Sequence, residues 1–174
     1  YEINDLIFSD KTKELNESTR KEADGSFIAL ADGVTHYELG GPENGIPVVL
    51  VHGFSVPYFI FDPTFEFLVN SGFRVLRYDL IGRGFSDKPP VAYDIQLLVR
   101  QLKDLLDALE FKQANLIGLS MGGPITASFI NQYPQHVAKH VLIDPAGTKR
   151  ITLSWLLEAT KLPVFGELAL GLFG

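Results

Sequence analysis

The chain contains no cysteine among its 174 residues. Without thiols there can be no disulfide bridge, no thiolate zinc site and no cysteine nucleophile. A nucleophile, if there is one, must therefore come from another residue type. The absence leaves the cellular compartment open, because cytosolic and exported proteins can both lack cysteine.

Clusters of basic residues and long apolar runs are also missing. The net charge is -6, and no group of Lys and Arg stands out, so we expect no nucleic-acid partner. No window of about eighteen uninterrupted apolar residues exists, so no membrane span is predicted. We expect no metal and no cofactor. We expect a cytoplasmic protein, with export as the alternative because the chain begins at Tyr1 and not at Met.

Short apolar runs separated by turn residues predict a series of strands. Residues 27–30 and 34–39 flank Asp32-Gly33, which is a good hairpin turn. Residues 47–53 form a continuous β-branched apolar run, typical of a strand buried on both faces of a parallel sheet. Further strand candidates are residues 73–79, 115–119 and 140–143.

Helical patterns lie between these strands. Apolar residues spaced at threes and fours predict a helix over residues 95–109, with Asp94 as its N-cap. A second helix is predicted to begin at residue 121 and to end near Tyr133. The alternation predicts an α/β fold, with a mostly parallel, doubly wound sheet flanked by helices.

The composition changes at both ends of the chain. Residues 1–25 are polar and predict a lead-in segment, and residues 26–147 contain the predicted core with six strands. Residues 148–174 carry few charges and many large apolar side chains, among them Trp155 and Phe165. We interpret this last segment as the start of an apolar cap or lid.

The most specific motif is Gly118-Leu119-Ser120-Met121-Gly122. A predicted strand leads into it and a predicted helix leads out, which is the context expected of a nucleophilic serine on a sharp turn. In so tight a turn there is little room for Cβ atoms at the two glycines. The alternative is an ordinary serine N-cap.

Together with three other motifs, this turn resembles the α/β-hydrolase fold superfamily, in particular its serine esterase and lipase-like members with a cap domain. The resemblance covers the N-terminal two-thirds of such a protein. The supporting motifs, in chain order, are His52-Gly53-Phe54, the loop from Asp79 to Asp87, the serine turn, and Asp144-Pro145 after the sixth strand.

The resemblance implies roles for individual residues. Ser120 would attack a carbonyl carbon, and the backbone N–H groups of Phe54 and Met121 would form the oxyanion hole. The triad histidine would follow the eighth strand, beyond Gly174. The acid would also lie beyond Gly174 or, as in a minority of relatives, would be Asp144. The sheet would be truncated before its last two strands, and the remainder of the same protein is expected to complete it.

Other polar residues have structural interpretations. His52 is expected to shape the oxyanion loop and not to act as a base. His36, His136 and His140 are not expected to be catalytic. Asp79 is interpreted as the carboxylate that organises its glycine-containing loop, and Arg83 as a loop brace in preference to a substrate clamp.

These observations predict a serine hydrolase that cleaves an ester or similar acyl bond of an apolar small molecule through an acyl-enzyme at Ser120. A serine nucleophile argues against the dehalogenase and epoxide hydrolase branches, which use Asp. Two alternatives stay open: a carbon–carbon bond hydrolase of the ring-cleavage-product type, and a non-catalytic ligand-binding protein on the same fold. The 174-residue chain alone is expected to be inactive.

Overall fold

The computed structural model describes residues 20–21 and 23–147. Within them, all six predicted strands and both predicted helices are present, together with one further α-helix and two short 3-10 helices, Tyr58–Phe61 and Pro134–His136. In chain order the elements are β1 (Ser26–Leu30), β2 (Gly33–Gly40), β3 (Pro47–Val51), α1 (Asp62–Asn70), β4 (Arg74–Tyr78), α2 (Ile95–Ala108), β5 (Ala114–Leu119), α3 (Gly122–Gln132) and β6 (Val137–Ile143).

The strands form one sheet in the order β1-β2-β4-β3-β5-β6. The hairpin strands β1 and β2 are antiparallel, as is the pairing of β2 with β4, whereas β4, β3, β5 and β6 run parallel. The predicted α/β fold with a mostly parallel sheet is therefore confirmed. The carboxyl ends of the four parallel strands meet at one edge of the sheet, where loops of open α/β sheets carry their binding sites.

Helices cover both faces of the sheet, as predicted. In β3, Val49 and Val51 pack into one apolar cluster and Val48 and Leu50 into the other. All four side chains are at most 3% exposed, because a central parallel strand is enclosed on both faces. The first cluster includes residues of α2 and α3, and the second includes Phe65 of α1.

Helix α1 was not predicted from the sequence. It spans nine residues. Phe65, Leu68 and Val69 pack at helical spacing against the second cluster, but only Phe65 is buried, so the apolar stripe covers little more than one turn. Helix α2 matches its prediction closely. The Asp94 side chain accepts a hydrogen bond from the Leu97 N–H at 2.8 Å, which confirms the N-cap.

Strand β6 lies at the edge of the described sheet. It pairs with β5 on one side, and Val141, Leu142 and Ile143 are 42–48% exposed. Whether further strands pair here stays a prediction, as do the boundaries of the core at residues 26 and 147. The predicted cap segment, residues 148–174, and most of the lead-in segment lie outside the described residues.

No helix in the described part of the chain is long and apolar enough to cross a membrane.

Candidate active site

Ser120 stands between β5 and α3 in a backbone conformation that is unusual for a residue with a side chain. Its φ is 50°, in the left-handed region, which costs a non-glycine residue about 1–2 kcal/mol. Strained residues of this kind cluster at functional sites. The strand, the turn and the helix appear in the order that the serine motif requires.

The glycines on either side of Ser120 allow close backbone packing. A Cβ atom on Gly118 would lie 2.5 Å from Thr126 Oγ1, and one on Gly122 would lie 2.1 Å from the carbonyl oxygen of Val51. Real Cβ atoms do not approach other atoms so closely. The start of α3 therefore packs directly against the end of β3, as the crowding argument predicted.

The backbone of Ser120 is fixed at both of its polar groups. Its N–H donates to the Ile143 carbonyl at 3.0 Å. Its carbonyl oxygen accepts from the N–H groups of Gly123 at 3.0 Å and Ala146 at 2.9 Å. The end of β6 and the loop that follows it thus hold the serine turn in place.

The loop after β3 lies against the Ser120 side chain. A Cβ atom on Gly53 would be 3.1 Å from Ser120 Cβ and 3.5 Å from Ser120 Oγ. Phe54 follows at once, and its side chain is 62% exposed. Neither the Phe54 N–H nor the Met121 N–H has an acceptor among residues 20–21 and 23–147. The loop after β3 and the residue after Ser120 therefore each carry a backbone donor without a partner in the described region.

His52 is buried and uses both ring nitrogens within the loops. Nδ1 lies 2.7 Å from the Gly53 carbonyl oxygen, and Nε2 accepts from the Leu80 N–H at 3.0 Å. The ring is therefore the neutral Nδ1–H tautomer. Burial lowers the pKa of His52 and outweighs the Gly53 hydrogen bond and the Asp79 charge, which raise it. With both nitrogens occupied, His52 cannot serve Ser120 as a base.

Asp79 organises the loop after β4, as expected. One carboxylate oxygen accepts from the Tyr58 N–H at 2.9 Å. The other accepts from the Phe85 N–H at 2.9 Å and contacts Nδ1 of His36 at 2.8 Å. Ser86 Oγ donates to the Asp79 carbonyl at 2.6 Å. This buried network joins β2 and the loops that follow β3 and β4.

The remaining histidines also lie away from Ser120 Oγ. His36 Nε2 contacts the Asp24 carbonyl at 2.6 Å, and His136 stacks edge-on near Phe129. His140 Nε2 contacts Thr126 Oγ1 at 2.8 Å, and burial lowers the pKa of His140. The chain has four histidines, and in the described structure none of them hydrogen-bonds to Ser120.

Asp144 follows β6 with a φ of 41°. Its side chain is exposed, and no hydrogen bond to its carboxylate occurs within the described part of the chain. The possible role of Asp144 as a triad acid therefore stays a prediction.

Two buried polar residues that were not predicted from the sequence hold the backbone around the site. Gln101, 1% exposed in α2, accepts from the Ile81 N–H at 2.9 Å and donates to the Asp79 carbonyl at 2.9 Å. Thr126 contacts the Gly122 carbonyl oxygen at 2.9 Å and thus braces the first turn of α3. A signal existed for Gln101, because a polar residue three positions after Leu98 and four before Leu105 lies on the apolar stripe.

Among the described residues, no group of three or more His, Asp or Glu side chains could hold a metal ion.

A family profile described as the alpha/beta hydrolase fold matches residues 46–167. The chain belongs to the α/β-hydrolase family. The matched range includes the loop after β3, the Asp79 loop and the serine turn, so the family assignment and the site geometry concern the same part of the α/β-hydrolase fold.

Similar proteins have several chemistries. The chain is 30% identical over 142 residues to a non-heme chloroperoxidase of Streptomyces lividans, covering 80% of this chain and 51% of that protein. It is 34% identical over 145 residues to 2-hydroxy-6-oxo-6-phenylhexa-2,4-dienoate hydrolase of Comamonas testosteroni, covering 77% and 48%. A carboxylesterase structure from Nitrososphaera gargenis superposes with a TM-score of 0.70 at 27% identity, covering 80% and 53%. The chain spans about half the length of these relatives.

Proposed function

We propose that this protein is a serine hydrolase that cleaves an ester or similar acyl bond of an apolar small molecule. The observation that carries the proposal is the position of Ser120, a strained residue on a strand–turn–helix with Gly53 packed against its side chain. Carboxylesterases and a carbon–carbon bond hydrolase among the similar proteins support hydrolysis as the reaction class.

In the proposed mechanism, Ser120 Oγ attacks the carbonyl carbon of the substrate, and its proton passes to a general base. The carbonyl oxygen becomes an oxyanion, which accepts hydrogen bonds from the N–H groups of Phe54 and Met121. The amino end of α3 adds the positive end of a helix dipole. Collapse of the intermediate releases the alcohol, which takes up a proton, and leaves an acyl-enzyme on Ser120. Water then attacks the acyl-enzyme to release the acid.

The general base is not supplied by any of the four histidines in their described positions. His52 and His36 have both ring nitrogens occupied, and His140 contacts Thr126. We place the base in the part of the relatives' length that this chain does not span. The same part is expected to pair with the exposed edge of β6 and complete the sheet.

An apolar substrate fits the surface around the serine. Gly53 packs against Ser120, and the ring of Phe54, the next residue, is 62% exposed. The apolar segment 148–174, which we interpret as a cap, would add further apolar surface.

The test uses a complete protein that carries this chain together with the remaining length found in its relatives. Ser120→Ala should abolish turnover of short acyl p-nitrophenyl esters and labelling by a fluorophosphonate probe, detected as an intact-mass shift. Ser128→Ala, at a half-buried position of α3 where Oγ accepts from Gln132 at 3.3 Å, should leave both unchanged. Near-normal turnover by Ser120→Ala would identify a different nucleophile. No labelling of the unmutated protein would favour a non-catalytic binding protein.

A carbon–carbon bond hydrolase is the second candidate, favoured by the 34% identical hydrolase of Comamonas testosteroni. The two reactions are distinguished by offering the unmutated protein a ring-cleavage dienoate, whose absorbance falls on cleavage, beside the p-nitrophenyl esters. Turnover of the dienoate at least tenfold above that of the esters would replace the first proposal.

A further inference from the structure

Arg83 reaches from the loop after β4 to the loop after β3. Its Nε–H donates to the Phe54 carbonyl oxygen at 2.8 Å. A terminal nitrogen of the same guanidinium donates to the Gly82 carbonyl at 2.9 Å. The guanidinium carbon lies 4.3 Å from the centre of the Phe54 ring. Arg83 therefore contacts both the backbone and the side chain of Phe54.

The two peptide groups on either side of Phe54 are held by different side chains. The carbonyl oxygen of the Gly53–Phe54 peptide lies 2.7 Å from Nδ1 of His52, and the carbonyl oxygen after Phe54 accepts from Arg83. No cis peptide bond is present in the described chain, so the Phe54 N–H points away from the Gly53 carbonyl oxygen. The first contact holds the peptide plane that carries the Phe54 N–H. The second holds the next peptide, and together they restrain rotation of the backbone at Phe54 between the two.

We infer that Arg83 is a positioning residue that aims the Phe54 N–H at the oxyanion. The inference rests on the proposed function, which assigns that N–H to the oxyanion hole. Oxyanion donors act only when they point at the place where charge develops in the transition state. A loop with an exposed phenylalanine and no regular secondary structure has few other constraints on that direction.

The charge of Arg83 supports the same geometry through His52. The guanidinium acts with burial to lower the pKa of His52, against Asp79. A neutral His52 keeps Nε2 without a proton, so that Nε2 can accept from the Leu80 N–H. Leu80 and Arg83 belong to one loop, so the loop after β4 holds the oxyanion loop at two points.

A substrate clamp is the competing interpretation of Arg83, and it predicts a different kinetic effect. A guanidinium that binds the substrate raises KM when it is removed, whereas a positioning residue lowers kcat with KM nearly unchanged. Arg74 offers a matched control. Its guanidinium carbon lies 4.7 Å from the Phe111 ring centre, and it donates to the Glu43 carbonyl at 3.4 Å, at the opposite end of β4.

The experiment compares Arg83→Met, Arg83→Lys and Arg74→Met in the complete protein. We expect Arg83→Met to lower kcat about tenfold to a hundredfold, less than the loss of a whole donor, with KM within about twofold. The affinity for a boronic acid that mimics the tetrahedral intermediate should fall in the same proportion. Arg83→Lys should recover part of kcat, and Arg74→Met should match the unmutated protein. An unchanged kcat, or a rise in KM alone, would overturn the inference.

A readout independent of activity separates this inference from the proposed function. Loss of Arg83 should lower the NMR order parameter of the Phe54 amide from about 0.85 towards 0.6, while Arg74→Met leaves it unchanged. If the unmutated protein hydrolyses no ester, the proposed function fails, and the Phe54 order parameter still decides whether Arg83 orders the loop. Equal Phe54 order parameters in the unmutated protein, in Arg83→Met and in Arg74→Met would show that Arg83 does not position Phe54.

Discussion

The serine turn and the loop after β3 lie against each other at Ser120 and Gly53, and they are held in place by different means. The serine turn depends on the absence of side chains, because Gly118 and Gly122 let backbone pack on backbone at distances that no Cβ atom tolerates. The loop after β3 depends on side-chain hydrogen bonds, from His52 within the loop and from Arg83 of the loop after β4. The turn should therefore respond to added volume, and the loop to removed hydrogen bonds.

The largest effect is expected when volume is added to the serine turn. Gly122→Ala places a Cβ atom 2.1 Å from the carbonyl oxygen of Val51, and both groups belong to the backbone. We expect a loss of about 3 kcal/mol or more in the free energy of unfolding, although alanine is favoured in helices by about 1 kcal/mol. Urea denaturation measures this loss in the free energy of unfolding.

Gly72→Ala is the control for Gly122→Ala. Gly72 has nothing within 4 Å of its Cβ position and a φ of 85°, so alanine there adds backbone strain without a clash. A loss of about 1–2 kcal/mol is expected. Equal losses at both positions would contradict the argument from close packing.

Removing a side chain should have the second-largest effect. His52→Ala leaves the Leu80 N–H without its acceptor and opens a buried space. We expect a loss of about 2–3 kcal/mol in unfolding free energy, measured by urea denaturation. His136→Ala, which removes ring contacts at a half-buried position, should cost less than about 1 kcal/mol. A loss for His52→Ala as small as that for His136→Ala would show that the loop does not depend on His52.

The third prediction concerns pH. Burial lowers the folded-state pKa values of His52 and His140 below the ordinary value of 6.5. Below pH 6.5 the unfolded chain therefore binds more protons than the folded one, and stability falls as pH decreases. Each group contributes a slope of at most about 1.4 kcal/mol per pH unit, until the pH passes its folded pKa.

Urea denaturation between pH 7.5 and pH 5 measures this slope. His52→Gln should flatten the curve more than His140→Gln, because His52 is fully buried and His140 only half-buried. An identical slope in the unmutated protein and in His52→Gln would contradict the assignment of a neutral, buried His52.

The smallest effect is expected at Ser120 itself. Because its φ is 50°, glycine at this position relieves strain that alanine retains. Ser120→Gly should be more stable than Ser120→Ala by about 1 kcal/mol. The comparison of two inactive variants by urea denaturation removes any effect of catalysis. An alanine variant as stable as the glycine variant would show that the turn relaxes in the mutant and stores no strain.

Short-range patterns predicted most of the elements. The apolar stripe of α2 and its Asp94 cap, the hairpin turn before β2 and the buried run of β3 each depend on neighbouring residues. Helix α1 was missed because its apolar stripe, Phe65, Leu68 and Val69, covers little more than one turn. Strand β6 was predicted three residues too short, because Val137 belongs to it through pairing with Ala114, and that partner is distant in sequence.

The fold class, the serine motif and its strand–turn–helix context could be predicted from the sequence, because each depends on patterns among residues that are near neighbours in the chain. The structure was needed to show that Gly53 packs against Ser120, that His52 uses both ring nitrogens and that Arg83 braces Phe54. Arg83 and Phe54 are 29 positions apart. They meet because β3 and β4 lie side by side and run parallel, so that the loops at their carboxyl ends share one edge of the sheet.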